Sequence, residues 1–119
     1  MSAPLSISRL ALQDQATAAR WDAFVQDCSQ ASFFHLSAWQ RILKRQFGHE
    51  GYFLYAERAG CIEGVLPLAE VKSRLFGHAL VGLPFGVYGG VAASSEDAAA
   101  ALEQAAQRQA LALGVQHLE

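Results

Sequence analysis

The residues with the most chemical potential fall between positions 72 and 97. Lys72 and Arg74 come first, then Leu83-Pro-Phe-Gly-Val-Tyr-Gly-Gly90, then Ser94, Ser95, Glu96 and Asp97. An apolar run from His78 enters the Pro/Gly/aromatic turn, and an alanine-rich helical pattern leaves it. Strand, glycine-rich turn and helix together can aim backbone N–H groups at an anion or at a bound main chain. The same layout serves any tight strand-to-helix connection, where Gly86, Gly89 and Gly90 would relieve a bulged strand end. Phe85 and Tyr88 flank those glycines and would line a groove, with the Tyr88 hydroxyl as a polar handle. Lys72 and Arg74 are either solvated loop charges or contacts for an anionic substrate. Trp39, in the first turn of its own helix, is either core or groove wall.

Other chemistries find little support. His35, His49, His78 and His117 show no metal-ligand spacing, and neither do Cys28 and Cys61, which are expected as buried free thiols. No Ser/His/Asp or Cys/His arrangement can be argued from residue order. His35, beside Ser37, is expected to bond local backbone. Glu63 and Glu70 are seven apart along a strand and face opposite sides, so they make no carboxylate pair unless a bulge at Pro67 shifts the register. A formal net charge of −2 gives no electrostatic case for nucleic acid. The N-terminus lacks a basic stretch followed by an apolar core, and the longest apolar run falls far short of the ~20 residues of a membrane helix. A cytoplasmic protein with no membrane span and no DNA partner is the expectation.

With 119 residues, 52% of them hydrophobic and 17% charged, the chain can bury one small core. Residues 5 to 10 alternate and predict a short edge strand. From about Ala16 the period becomes helical, with Trp21, Phe24, Val25 and Cys28 on one face. Trp21 is read as core. Phe33 to Leu36 reads as an aromatic extended piece. Ser37 and Gln40 then fit a capping box, and Trp39, Ile42, Leu43 and Phe47 share one helical face, with Arg41, Lys44 and Arg45 opposite. Gly48 closes that helix. Tyr52–Arg58, Ala59-Gly60 and Cys61–Val71 predict an antiparallel hairpin, in which Pro67 marks an edge or a bulge. A third strand starts near His78. Ser94 or Ser95 caps a helix that runs to about Leu113, whose small face (Ala98, Ala101, Leu102, Ala105, Ala106) lets it lie close on a sheet. Gly114 ends it, and Val115–Glu119 begins a strand. The helical crossover predicts that this last strand runs parallel to the third.

The order β-α-α-β-β-β-α-β resembles the first half of a GNAT-type acyltransferase fold. The local sequence resembles the FemAB-related proteins associated with exosortase/PEP-CTERM and exopolysaccharide loci in bacteria. The residues that carry this are Phe33-Phe-His-Leu-Ser-Ala-Trp39, Tyr52 to Arg58, Gly64-Val-Leu-Pro-Leu68, Lys72-Ser-Arg-Leu-Phe-Gly77 and Leu83 to Gly90. Ser37-Ala-Trp39 is similar to the family's Ser/Pro-x-Trp helix start. Pro84-Phe-Gly-Val87 stands where Fem ligases usually carry Pro-Arg-Gly-Pro. Phe85 therefore replaces a cation that would meet a phosphate. Against the GNAT pyrophosphate fingerprint, Gln/Arg-x-x-Gly-x-Gly/Ala, the stretch Val87 to Ala92 matches at Gly90 and Ala92 and has Val87 in the polar position.

The resemblance implies an α+β, GNAT-like fold with a mixed, mostly antiparallel sheet. Residues 1–119 would form a single incomplete module, the first of a longer FemAB-like protein. It implies an acyl or aminoacyl transferase acting on a cell-envelope or exopolysaccharide-related amine, with a small-molecule, peptidoglycan or glycan precursor as partner. Trp39, Lys72, Arg74, Phe85, Gly86, Tyr88, Gly89 and Gly90 would bind the substrate. The donor, acyl-CoA or a charged tRNA, would be used by the full protein, with no cofactor held in this module. A non-catalytic precursor-binding or structural interaction module in an exopolysaccharide or protein-sorting system is the alternative.

Overall fold

In a computed structural model, residues 4–29, 31, 35–73, 77–82, 91–114 and 117–118 are described. The chain is α+β. Its elements are β1 (Leu5–Arg9), α1 (Gln15–Asp27), α2 (Ala38–Ile42) continuing into a π-helical turn (Leu43–Phe47), β2 (Glu50–Arg58), β3 (Cys61–Ser73), β4 (Gly77–Gly82), β5 (Ala92–Ala93), α3 (Glu96–Leu113) and β6 (His117–Leu118). The strands lie in the order β1-β2-β3-β4-β6, and β5 pairs with β3. All pairings are antiparallel except β4 with β6, where Ala79 faces His117 and Leu80 faces Leu118 in parallel register. β5 is absent from the sequence reading, because two alanines carry no alternation to detect.

The β2–β3 hairpin closes through Ala59 and Gly60, at φ 52° and 81°. Positive φ at both central residues matches the right-handed twist of the flanking strands, so a two-residue connection suffices. Strand β3 is the centre of the sheet, and of the two expectations for Pro67, an edge or a bulge, the bulge fails. Pro67 pairs with Phe53 without a register break. On its other side, β5 pairs with residues 64–65 and β4 begins at Leu68. Among the described residues Pro67 thus stands in the gap between two partners, where β3 has no second strand beside it and a missing N–H is tolerated. The bulge lies instead at Glu63, between the Ala56–Gly64 and Glu57–Ile62 pairs.

Helices cover both faces. On one, Trp21, Val25 and Ala18 of α1 pack with Leu10, Leu43, Phe53, Val65, Ala69 and Ala92. Trp21 is fully buried, stacked on Phe53 at 5.4 Å and edge-on to Tyr55 at 6.3 Å, and its indole Nε1 donates to the His35 carbonyl at 2.6 Å. On the other face, Ala98, Leu102, Ala106 and Ala110 of α3 lie on Leu54, Ala56, Leu66 and Leu68. Ser95 caps α3, its Oγ accepting from the Ala98 N–H at 3.2 Å, and Gly114 ends it at φ 68°. Asp14 caps α1 by accepting from the Thr17 N–H at 3.0 Å, just before the helical pattern expected from about Ala16.

The capping box at Ser37 and Gln40 does not form. Ser37 has helical backbone angles and no side-chain cap bond. Its N–H and its hydroxyl both donate to the Asp22 carboxylate of α1, each at 2.8 Å. Gln40 turns the other way, and its Nε2 donates to the Leu10 carbonyl at 3.0 Å. Two further expectations fail on this helix. Ile42 is 37% exposed, because the buried side of the helix centres on Gln40 and Leu43, which turns Ile42 outward. Leu36 lies in the turn that starts α2, its carbonyl accepting from the Trp39 N–H at 3.3 Å, and Phe33 and Phe34 lie outside the described residues. Gly48 closes the helix at φ 68°, as expected. Cys28 is half-buried and Cys61 is exposed at the start of β3; both are free.

Candidate functional site

Of the residues singled out for chemistry, Arg74, Phe85, Gly86, Tyr88, Gly89 and Gly90 lie outside the described residues. Lys72 is in β3, opposite His78 of β4. Trp39 is half-buried and packs against the α1-face core.

The described residues bring together a different group. Where β1 ends, α2 turns and β2 begins, a cleft of about 210 Å³ is lined by Arg9, Leu10, Ala11, Leu12, Gln40, Lys44, Glu50 and Gly51. Strand pairing sets its geometry. Arg9 is the last residue of β1 and pairs with Leu54, which carries its side chain back towards the start of β2. Its Nε and Nη2 both donate to the Gly51 carbonyl, at 3.2 and 2.8 Å, and its guanidinium lies over the Tyr52 ring at 4.1 Å. A charge-assisted bond and a cation–π contact together fix a side chain that would otherwise be free.

Gln40 forms the floor of the cleft and is 5% exposed. It can reach the Leu10 carbonyl because Gly51 has no side chain; a Cβ there would stand 2.7 Å from Gln40 Cγ. Lys44 projects from the π-helical turn and pairs with Glu50 Oε1. Glu50 Oε2 faces Arg9 Nη2 at 3.7 Å, too far for a direct hydrogen bond. The Lys44 hydrogen bond outweighs the opposing effect of burial and, with smaller help from the charges of Lys44 and Arg9, holds the Glu50 carboxyl below its ordinary value of 4.5. The site thus presents two cations and one carboxylate around a polar floor, with Leu10, Ala11 and Leu12 as the remaining wall.

No family model, curated protein or solved structure matches this chain.

A second polar cluster gathers at the Glu63 bulge. The Glu63 carbonyl accepts from the Ser94 N–H at 2.8 Å and from the Ser94 hydroxyl at 3.2 Å, and its Oε1 accepts from the Ser95 hydroxyl at 3.0 Å. Arg58 lies 3.6 Å from both Glu63 and Asp97. These bonds tie the start of α3 to the hairpin. They also fill the helix N-terminus with the chain's own groups: the Ser95 cap, and Glu96 and Asp97 in the first turn. Among the described residues, no three His, Cys, Asp or Glu side chains are placed to hold a metal.

The cleft could not be read from the sequence. Arg9 and Gly51 are 42 residues apart and meet only through the β1–β2 register. The one local signal is Lys44 and Glu50 flanking the helix-ending Gly48, a spacing that matches no helical or strand period.

Proposed function

We propose that this chain is the N-terminal module of a FemAB-related acyl or aminoacyl transferase, holding a cell-envelope or exopolysaccharide-related amine acceptor. The observation that supports this best is the pairing of β4 with β6. A mostly antiparallel sheet gains one parallel strand through the crossover helix α3, as the resemblance implies for the first half of a GNAT-type fold. In the reaction the acceptor amine attacks the activated acyl carbon. The C–N bond forms, the bond from that carbon to the donor's leaving atom breaks, and the amine gives up a proton. The protein's part is orientation and electrostatics.

One observation favours the second reading, a module that binds a precursor without a donor site of its own. The α3 N-terminus, where a GNAT-type pyrophosphate would sit, carries the chain's own carboxylates, and like charge repels a phosphate there. The test uses the intact chain with acyl-CoA and a panel of amino-sugar and peptidoglycan-precursor amines. Transfer is followed by mass spectrometry and binding by amide chemical shifts. Saturable acceptor binding supports the proposal, and transfer by the chain alone selects the catalytic form of it. Saturable acyl-CoA binding without acceptor binding, or binding of neither, overturns it.

A further inference from the structure

We infer that the cleft between β1, α2 and β2 binds a small free α-amino acid as its zwitterion. The argument rests on which polar atoms of the cleft remain unspent. An ammonium has three donors, and Glu50 takes only one from Lys44. Arg9 spends Nε and one Nη2 hydrogen on Gly51, and its 3.7 Å separation from Glu50 leaves other guanidinium hydrogens available. Glu50 Oε1 is engaged by Lys44, whereas Oε2 has no donor within bonding distance among the described residues. Donors on two cations and an acceptor on one anion thus lie side by side at one opening. A simple anion would meet the cations but be repelled by Glu50. A simple cation would meet Glu50 but be repelled by Arg9 and Lys44. A carboxylate and an ammonium on one carbon satisfy both sets.

Size and lining agree. At ~30 Å³ per water, the cleft's 210 Å³ holds about seven water volumes, room enough to take an alanine or serine whole. Leu10, Ala11 and Leu12 offer a wall for a small apolar side chain. The floor is built rather than incidental, since Gln40 is buried and Gly51 is shaped around it. Lys44 stands on a π-helical turn, a rare element that recurs at functional sites. Glu70 lies across the β2–β3 ladder from Glu50 but does not line the cleft. The inference goes beyond the transferase reading and does not rest on it, because no donor or transfer is involved.

The test is an amide-shift titration of the isotope-labelled chain, read at residues 10–12, 40, 44, 50 and 51. Alanine should bind with a Kd of order 1 mM. Alaninamide, N-acetylalanine and alanylalanine, which remove or separate the two charges, should each bind about tenfold more weakly. In Glu50→Gln, alanine and N-acetylalanine should bind alike. Lys44→Met, on an exposed side chain, should weaken alanine in a chain whose other shifts are unchanged. Acetate or inorganic phosphate moving these amides as strongly as alanine would overturn the zwitterion site in favour of an anion site. So would alaninamide binding as tightly as alanine, or the absence of any saturable shift at these positions.

Discussion

The two faces of the sheet are packed by different means. The α1/α2 face is filled by large rings and cross-linked by polar tethers. Trp21 stacks on Phe53 and bonds to the His35 carbonyl, Asp22 holds Ser37, and Gln40 holds Leu10. The α3 face is filled by small residues at close range, with Ala98, Leu102, Ala106 and Ala110 against Leu54, Ala56, Leu66 and Leu68. On the first face two helices share the surface, and side-chain hydrogen bonds fix where they sit. On the second, one long helix is tied down at its capped start, by Ser95 to Glu63 and Asp97 to Arg58, and otherwise lies on a smooth surface. The candidate cleft opens beside the tethered elements, where position is set bond by bond.

Breaking that contrast should cost most at Trp21. Trp21→Ala removes a stacked ring and its bond to the His35 carbonyl, so about 3–5 kcal/mol of unfolding free energy should disappear in a denaturant titration. Asp22→Ala should come next, at about 1.5–3 kcal/mol, because the Ser37 N–H and hydroxyl lose a charged acceptor together. Its signature should be confined to α2, visible as faster amide exchange there than in α3. On the opposite face the sensitive property is space. A Cβ at Gly64 would stand 2.8 Å from Leu102 Cδ1 and 3.2 Å from Ala93 Cβ, so Gly64→Ala should cost about 1–2 kcal/mol through overpacking. Leu102→Val in the same chain should recover part of that loss in the same titration.

The smallest effect is electrostatic and sits at the start of α1. The hydrogen bonds from Thr17 hold the Asp14 carboxyl below its ordinary value of 3.8. A depressed folded-state value means that the cap's contribution is complete above that ordinary value. It is lost as pH falls through the lowered one. The Thr17 amide shift should therefore titrate below the ordinary carboxylate range. In Asp14→Asn, which keeps the cap and removes the charge, that titration should vanish while α1 persists.

Most of what was legible in the sequence was local. The hairpin showed as two alternating runs around Ala59-Gly60, α3 as a Ser cap and a terminal Gly114, and the parallel β4–β6 pair as the product of a helical crossover. What failed was local chemistry overridden by distant partners. Ser37 and Gln40 have the right types and spacing for a capping box, yet Asp22 and the Leu10 carbonyl claim them from 15 and 30 residues away. Pro67 pointed to an edge or a bulge, and the bulge sits instead at Glu63, whose carbonyl and carboxylate are claimed by Ser94 and Ser95 some 31 residues later. The candidate cleft is the extreme case, since its charges are assembled by strand register alone. Trp21 was legible as core because a run of apolar positions at helical spacing leaves little choice, whereas Trp39, half-buried against the same core, is compatible with both of its readings.

Gln40 and Gly51 carry a consequence for how this chain can change. The side chain of one occupies the space that any side chain on the other would need, with a Cβ at 51 placed 2.7 Å from Gln40 Cγ. Neither position is free to drift alone. A larger residue at 51 is tolerated only after 40 has shortened, and shortening 40 first abandons the Leu10 carbonyl. The pair is therefore epistatic, with two single steps that each lose stability and a double step that loses less than their sum. Lineages that share the pair should keep both residues or replace both, with a new partner for Leu10 arriving alongside.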